Sequence, residues 1–169
     1  RLLRAPTALM QLSETEAFTI VGFMTPHRFA SGTTIIRQGE VTDTGFMVLV
    51  LDGEITVENL IARRGHPVTV NVLGPGSLIG ELGLLDGAPR SASCIANTDM
   101  LVGVLSRADF LQLLQDDPAV GSRLLLAISK RMADTLRETT RKLILFAQMN
   151  KVLSEELAKV ANDPDWFDS

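Results

Sequence analysis

Hydrophobic positions change period twice along the chain, and the changes divide it into three parts. From residue 1 to about 29 the spacing is helical. "SETE" at Ser13 to Glu16 has the Ser-x-x-Glu form of a capping box, Phe18, Val21 and Met24 follow at helical intervals, and Pro26 ends the pattern. From Thr33 to Leu105 the period is that of strands, with β-branched and apolar runs "TTII", "FMVLVL", "EITVEN", "VTVNVL", "SASCIA" and "MLVGVL". Turn chemistry separates them at Gly39, Gly53, Gly65, Gly74 to Gly76 and "ANTD". Short strands at this even spacing predict an antiparallel barrel or jelly roll. "FMVLVL" is apolar at nearly every position, which suits a strand covered on both faces.

From Ser106 the helical period returns. Ser106 is a candidate N-cap with an acid three residues on, and "DDPAV" offers Asp117 as N-cap with Pro118 at the first helical position. No glycine or proline interrupts Ser122 to Asn162. A continuous helix there would extend about 60 Å, so it must fold back or pair with another chain. Alternating steps of three and four run through Leu125, Ile128, Met132, Thr135, Thr139, Lys142, Phe146, Met149, Leu153, Glu156 and Val160. Lys142 and Glu156 break this apolar seam, yet the stripe is longer than one barrel can cover, which favours a homodimer through this helix.

Composition narrows the classes. The 169 residues fit one domain with a helical extension, and a net charge of −4 with a pI near 5.2 argues against a general nucleic-acid or membrane-surface binder. No stretch is long and apolar enough to span a bilayer, and the single cysteine, Cys94, forms no internal disulfide. A cytoplasmic setting is the expectation. His27 and His66 lack metal-ligand partners, so no metal site is expected. No nucleophile–base constellation is present either, and the chain is not expected to be an enzyme. About eight residues follow the long helix, too few for a helix-turn-helix, so no DNA-binding domain is expected within this sequence.

The chemistry concentrates in "GELGLLDGAPRSAS", Gly80 to Ser93. An arginine fork matches a phosphate, backbone N–H groups after a glycine add to an anion site, and a carboxylate accepts from a hydroxyl. Two arrangements fit these residues: a Glu81–Arg90 ion pair that pins the turn, or a cradle for a ligand with a phosphate beside a sugar hydroxyl.

"GTTIIRQGE" (Gly32 to Glu40), "GEITV" (Gly53 to Val57) and "IGELGLLDGAPRSAS" (Ile79 to Ser93) resemble the cyclic nucleotide-binding domain, in order, over roughly Phe29 to Arg141. The resemblance implies an α+β fold: an antiparallel β-roll of about eight strands, an N-terminal helical segment and a long C-terminal helical region. It divides the chain into an N-terminal segment at 1–29, a ligand-binding roll with a short helix at 30–116, and a lid and dimerisation helix with its tail at 117–169. It also implies site roles. Gly80 and Glu81 match the positions that hold a ribose hydroxyl, Arg90 the phosphate-binding arginine, and Ser91 the adjacent hydroxyl. Leu82 and Ala92 match positions giving backbone contacts. Val57, Val70 and Leu73 align with the apolar wall of the base pocket, and Arg131, Met132 and Thr135 with the helix that faces the base. Leu136 departs from the pattern, because leucine replaces a hydroxyl that reaches the ligand from a partner subunit. Gly39, Gly53 and Gly74 match turn glycines expected at positive φ.

The implied function is a non-enzymatic sensing module for a cyclic nucleotide, cyclic AMP ahead of cyclic GMP, that couples ligand binding to movement of the C-terminal helices. Its expected partners are a second copy and an effector protein or domain outside this sequence. The competing expectation is a degenerate scaffold of the same fold that dimerises without ligand.

Overall fold

The computed structural model describes residues 1–6, 8–60 and 67–161, apart from the side chains of 60, 67–70, 160 and 161. The chain divides at Ser129/Lys130 into two compact units. The first holds two four-stranded antiparallel sheets. Strands β1 (Thr25–Phe29), β8 (Met100–Ser106), β3 (Phe46–Asp52) and β6 (Leu78–Ile79) form one, in that order. Strands β2 (Thr34–Ile36), β7 (Ser93–Ala96), β4 (Ile55–Leu60) and β5 (Pro67–Leu73) form the other. This is the predicted β-roll, with all eight strands antiparallel to their neighbours.

The core draws on both sheets: Val48, Val50, Ile79, Met100 and Val102 from one, Ile36, Ile55, Cys94 and Ala96 from the other. Period-two alternation sends Val48 and Val50 of β3 into this core. Met47 and Leu49, on the opposite face, are equally buried, where a 3-10 turn at Leu2–Arg4 packs against the strand. An all-apolar strand is therefore covered on both sides, as its sequence predicts. Each such side chain contributes about 1.5–3 kcal/mol by leaving water.

Helix α1 (Glu14–Gly22) starts at the predicted capping box: Glu16 N–H donates to Ser13 Oγ at 3.2 Å and Ser13 N–H donates to Glu16 Oε2 at 2.7 Å. Its buried face differs from the predicted one. Ala17 and Ile20 are buried, whereas Phe18 is 82% exposed and Val21 48%. The helical segment also ends earlier than residue 29, because Thr25–Phe29 is strand β1. Among the described residues that strand pairs only with β8, and an edge strand tolerates Pro26, whose missing N–H costs no ladder bond on the open side.

Helix α3 (Arg107–Asp116) is capped by Ser106 Oγ, which accepts from Asp109 N–H at 3.1 Å. Asp117 Oδ1 accepts from Val120 N–H at 3.0 Å at the start of α4 (Pro118–Ala161). Of the two options left by the sequence, folding back is not taken: α4 is one helix of 44 residues. Among the turn glycines, Gly39 (φ 77°) and Gly53 (φ 88°) have the expected left-handed conformation, but in the "GPG" turn it belongs to Gly76 (φ 85°) and not to Gly74. The hairpin tip with Arg63 and Arg64, His66, and the Trp166–Phe167 tail lie outside the described residues.

Candidate functional site

The segment from Gly80 to Ser93 joins the two sheets, leaving β6 and entering β7. Between them lies helix α2 (Glu81–Asp86), six residues bounded by Gly80 (φ 79°) and Gly87 (φ 65°). Gly87 N–H closes it onto Gly83 O at 3.0 Å, and Asp86 Oδ1 caps the exit by accepting from Ala88 N–H at 2.9 Å. Thr44 Oγ1 donates to Gly87 O at 2.8 Å and ties the loop to the start of β3.

Arg90 is anchored at both ends. Its N–H donates to Glu40 O at 3.1 Å, and its carbonyl accepts from Gly39 N–H at 2.8 Å, so the "QGE" turn clamps its backbone. The side chain is 6% exposed. Nη1 donates to Gly80 O at 3.2 Å, Nη2 donates to Phe46 O at 3.1 Å, and the guanidinium carbon sits 4.2 Å from the centre of the Phe46 ring. Ring and carbonyls hold a planar cation in one orientation. Gly80 and Gly83 make room for it. A Cβ at Gly80 would lie 2.8 Å from Nη1. One at Gly83 would lie 2.5 Å from Nη1 and 2.4 Å from Thr44 O.

Arg90 forms no ion pair with a described carboxylate, so the pinned-turn arrangement is not the one adopted. Burial lowers its pKa, and the more distant negative charges of Cys94 in its thiolate form, Glu40, Asp86 and Glu81 act against that. Two of five guanidinium N–H groups satisfy carbonyls, which leaves donors for an anion. A buried cation held only by neutral partners is costly, and an anion docking there would offset the cost.

The other predicted residues distribute as follows. Gly80 and Glu81 open α2 and are half-buried, Leu82 is 45% exposed, Ser91 is exposed beside Arg90, and Ala92 is half-buried. Val57 and Leu73 are half-buried and packed against the core. Val57 lies opposite Cys94, and Glu58 opposite Ser93, so β4 passes beside the end of the Arg90 segment. Val70 sits where the β4–β5 register skips a residue, between the Val57↔Asn71 and Glu58↔Thr69 pairs. Arg131, Met132 and Thr135 lie on α4 in the second unit, at spacings that put them on one face of that helix; Arg131 and Met132 are half-buried and Thr135 is exposed.

Phe46, Thr44 and Gly83 were not among the residues predicted from sequence. For Gly83 a signal exists: two glycines three residues apart are wasteful in a helix unless something occupies the space of their side chains. For Phe46 and Thr44 none does, since their roles depend on backbone carbonyls of β3 and of the residues just before it. Among the described residues there is no cluster of metal-ligating side chains, and no helix is long and apolar enough to cross a membrane.

Comparison with known proteins adds to this geometry. A family model described as "Cyclic nucleotide-binding domain" matches residues 26–117. The chain is 30% identical over 142 residues to the cAMP-activated global transcriptional regulator CRP of Salmonella typhimurium, covering 82% of this chain and 64% of that protein. It is 31% identical over 139 residues to a cyclic nucleotide-gated potassium channel of Rhizobium etli, covering 82% of this chain and 33% of the channel. The solved catabolite activator protein of Thermus thermophilus superposes with a TM-score of 0.69 at 30% identity, over 80% of this chain and 61% of that one. The chain thus spans just under two thirds of the length of the regulators it matches.

Proposed function

Because the chain belongs to the cyclic nucleotide-binding domain family, we propose that it is a sensing module that binds a cyclic nucleotide, cyclic AMP ahead of cyclic GMP, without turning it over. The observation that carries this reading is Arg90: a buried guanidinium, pre-oriented by two carbonyls and a ring, with donors to spare and no carboxylate bound. In the proposed complex the cyclic phosphate takes those donors together with Ser91, and Glu81 accepts from the ribose hydroxyl while the Gly80 and Leu82 backbones line the segment. Ala92 contributes a backbone contact. Val57, Val70 and Leu73 wall the purine, and Arg131, Met132 and Thr135 of α4 supply its remaining contacts.

The residues present fit such a ligand in kind. A phosphate needs a fixed fork of donors, a ribose hydroxyl needs an acceptor, and a base needs apolar surface. The roll over 30–116 is the ligand-binding part, and the helix from 117 onward serves as lid and dimerisation element. Binding would shift α4 only by the ligand's differential affinity for two helix positions. The proposed site is a cytoplasmic one, read by an effector protein or domain, with a second copy paired through α4.

A thermal titration tests the reading. A ligand bound only by the folded state at a hundred times its Kd adds about 2.7 kcal/mol and must raise Tm. Unchanged Tm with both cyclic AMP and cyclic GMP would instead favour the ligand-independent scaffold.

A further inference from the structure

A cavity of about 290 Å³ opens at one end of the sheet that holds β1, β8 and β3, and it shares no residue with the Arg90 site. Arg28 of β1, Leu101 of β8 and Asp52 of β3 form one cross-strand row along it, with Leu101 paired to both neighbours. Asp52 reaches that row through a bulge. Val50 pairs with Val102, so a regular ladder would set Leu51 opposite Leu101, but the register shift sets Asp52 there instead. A carboxylate thus stands where an apolar side chain was due.

A third charge, Asp99, lines the cavity from the turn before β8. Its Oδ1 accepts from Ser31 N–H at 2.9 Å, and Ser31 Oγ donates to Asn97 O at 2.8 Å, so the carboxylate is fixed in place. Among the described residues, its other oxygen accepts no hydrogen bond, and the Arg28 guanidinium and Asp52 carboxylate have no bonded partner. Three charges of both signs therefore line one cavity without pairing with each other. Neighbouring strands lie about 4.8 Å apart, which puts the Arg28 and Asp52 backbones about 10 Å apart across β8. Half-buried Phe29 and Leu101 and buried Met100 add apolar lining.

We propose that this cavity binds a free basic α-amino acid of the lysine or ornithine type, as a small-molecule site separate from that of the cyclic nucleotide. The charges select the class. A phosphate or simple carboxylate would meet two carboxylates, and a simple amine would meet the guanidinium. A basic amino acid carries one carboxylate and two cationic nitrogens, the reverse of one guanidinium and two carboxylates. Its carboxylate takes the Arg28 fork, its two ammonium groups take Asp52 and Asp99, and its methylene chain lies on Leu101 and Phe29. The volume is at the small end of the range for ligand cavities, a size for one amino acid rather than a nucleotide.

Calorimetry and thermal melts of the full chain with L-lysine, at constant ionic strength, test the proposal. Saturable binding of one lysine per chain is expected, with a Kd in the millimolar range or below and a raised Tm. Norleucine lacks the side-chain nitrogen, 6-aminohexanoate the α-amine and cadaverine the carboxylate, and each should bind roughly tenfold or more weakly. Arg28→Gln and Asp52→Asn should weaken lysine binding by a similar factor. Their Tm without lysine should be unchanged, since both side chains are exposed. Asp99→Asn keeps an acceptor for Ser31 N–H and should behave likewise. Lysine affinity should be the same with and without cyclic AMP, so the outcome stands apart from the nucleotide reading. No saturable lysine binding, equal binding of cadaverine or norleucine, displacement of lysine by cyclic AMP, or wild-type lysine affinity in Arg28→Gln and Asp52→Asn would overturn the proposal.

Discussion

Replacing Gly83 by alanine should cripple ligand binding although Gly83 itself is not among the proposed ligand contacts. The added methyl would sit 2.4 Å from Thr44 O and 2.5 Å from Arg90 Nη1, far inside contact distance. Neither neighbour yields easily: the first is backbone tied into the loop, and the second is held by Gly80 O and Phe46 O. Alanine in place of glycine favours a helix by about 1 kcal/mol, whereas overpacking costs about 1–3 kcal/mol, and more where backbone must move. A net loss near 2 kcal/mol follows, or roughly 4–8 °C in Tm for a chain of this size. Displacing Nη1 weakens a charge-assisted contact worth about 1.5–3 kcal/mol, so affinity should fall roughly ten- to hundredfold. Paired calorimetry and thermal melts on the variant check both numbers. Gly74→Ala is the control, since nothing lies within 4 Å of its added methyl and its φ is not positive. A Gly83→Ala protein with wild-type affinity and Tm would refute the packing argument.

Further outcomes separate folding from binding. Gly53→Ala places a methyl 2.5 Å from Asp99 O at φ 88°, and should lower Tm while leaving nucleotide affinity near wild type in the surviving folded protein. Ser106→Ala removes the cap of α3 and should cost about 1 kcal/mol, or roughly 2–4 °C by calorimetric melting. Burial raises the Cys94 thiol from 9.0 to about 11, with the Arg90 cation partly opposing it. The fold therefore favours the protonated thiol. Its contribution is complete below pH 9 and is lost as pH rises through about 11, by up to about 3 kcal/mol. Denaturant midpoints measured across that window should fall, and those of Cys94→Ala should fall less.

Strand content was legible because turn residues punctuate β-branched runs, and three helix starts were legible because Ser13, Ser106 and Asp117 carry the oxygen that a free N–H needs. Two elements were not. Strand β1 contains Pro26 and continues from a helix, so its edge position in the sheet, which makes the proline harmless, is visible only in three dimensions. Helix α2 is disguised by the glycines at 80, 83 and 87, which read as a turn. Two of them, Gly80 and Gly83, are explained by the guanidinium of Arg90 folding back against the helix from later in the same segment. Arg90 itself was legible as chemistry, but not its setting, because Phe46 contributes a carbonyl and a ring face from 44 residues away. The face of α1 was misjudged for a related reason: Phe18 is the more apolar side chain, yet Ala17 and Ile20 are the ones that are buried.

Calorimetric titration of the wild-type chain and of Arg90→Ala with cyclic AMP and with cyclic GMP tests the central claim most directly. The account predicts saturable binding of at least one nucleotide, one per chain. It also predicts that Arg90→Ala loses about 3–5 kcal/mol of it, two to three powers of ten or more in Kd. No heat with either nucleotide, or an Arg90→Ala protein that binds as tightly as wild type, would contradict it.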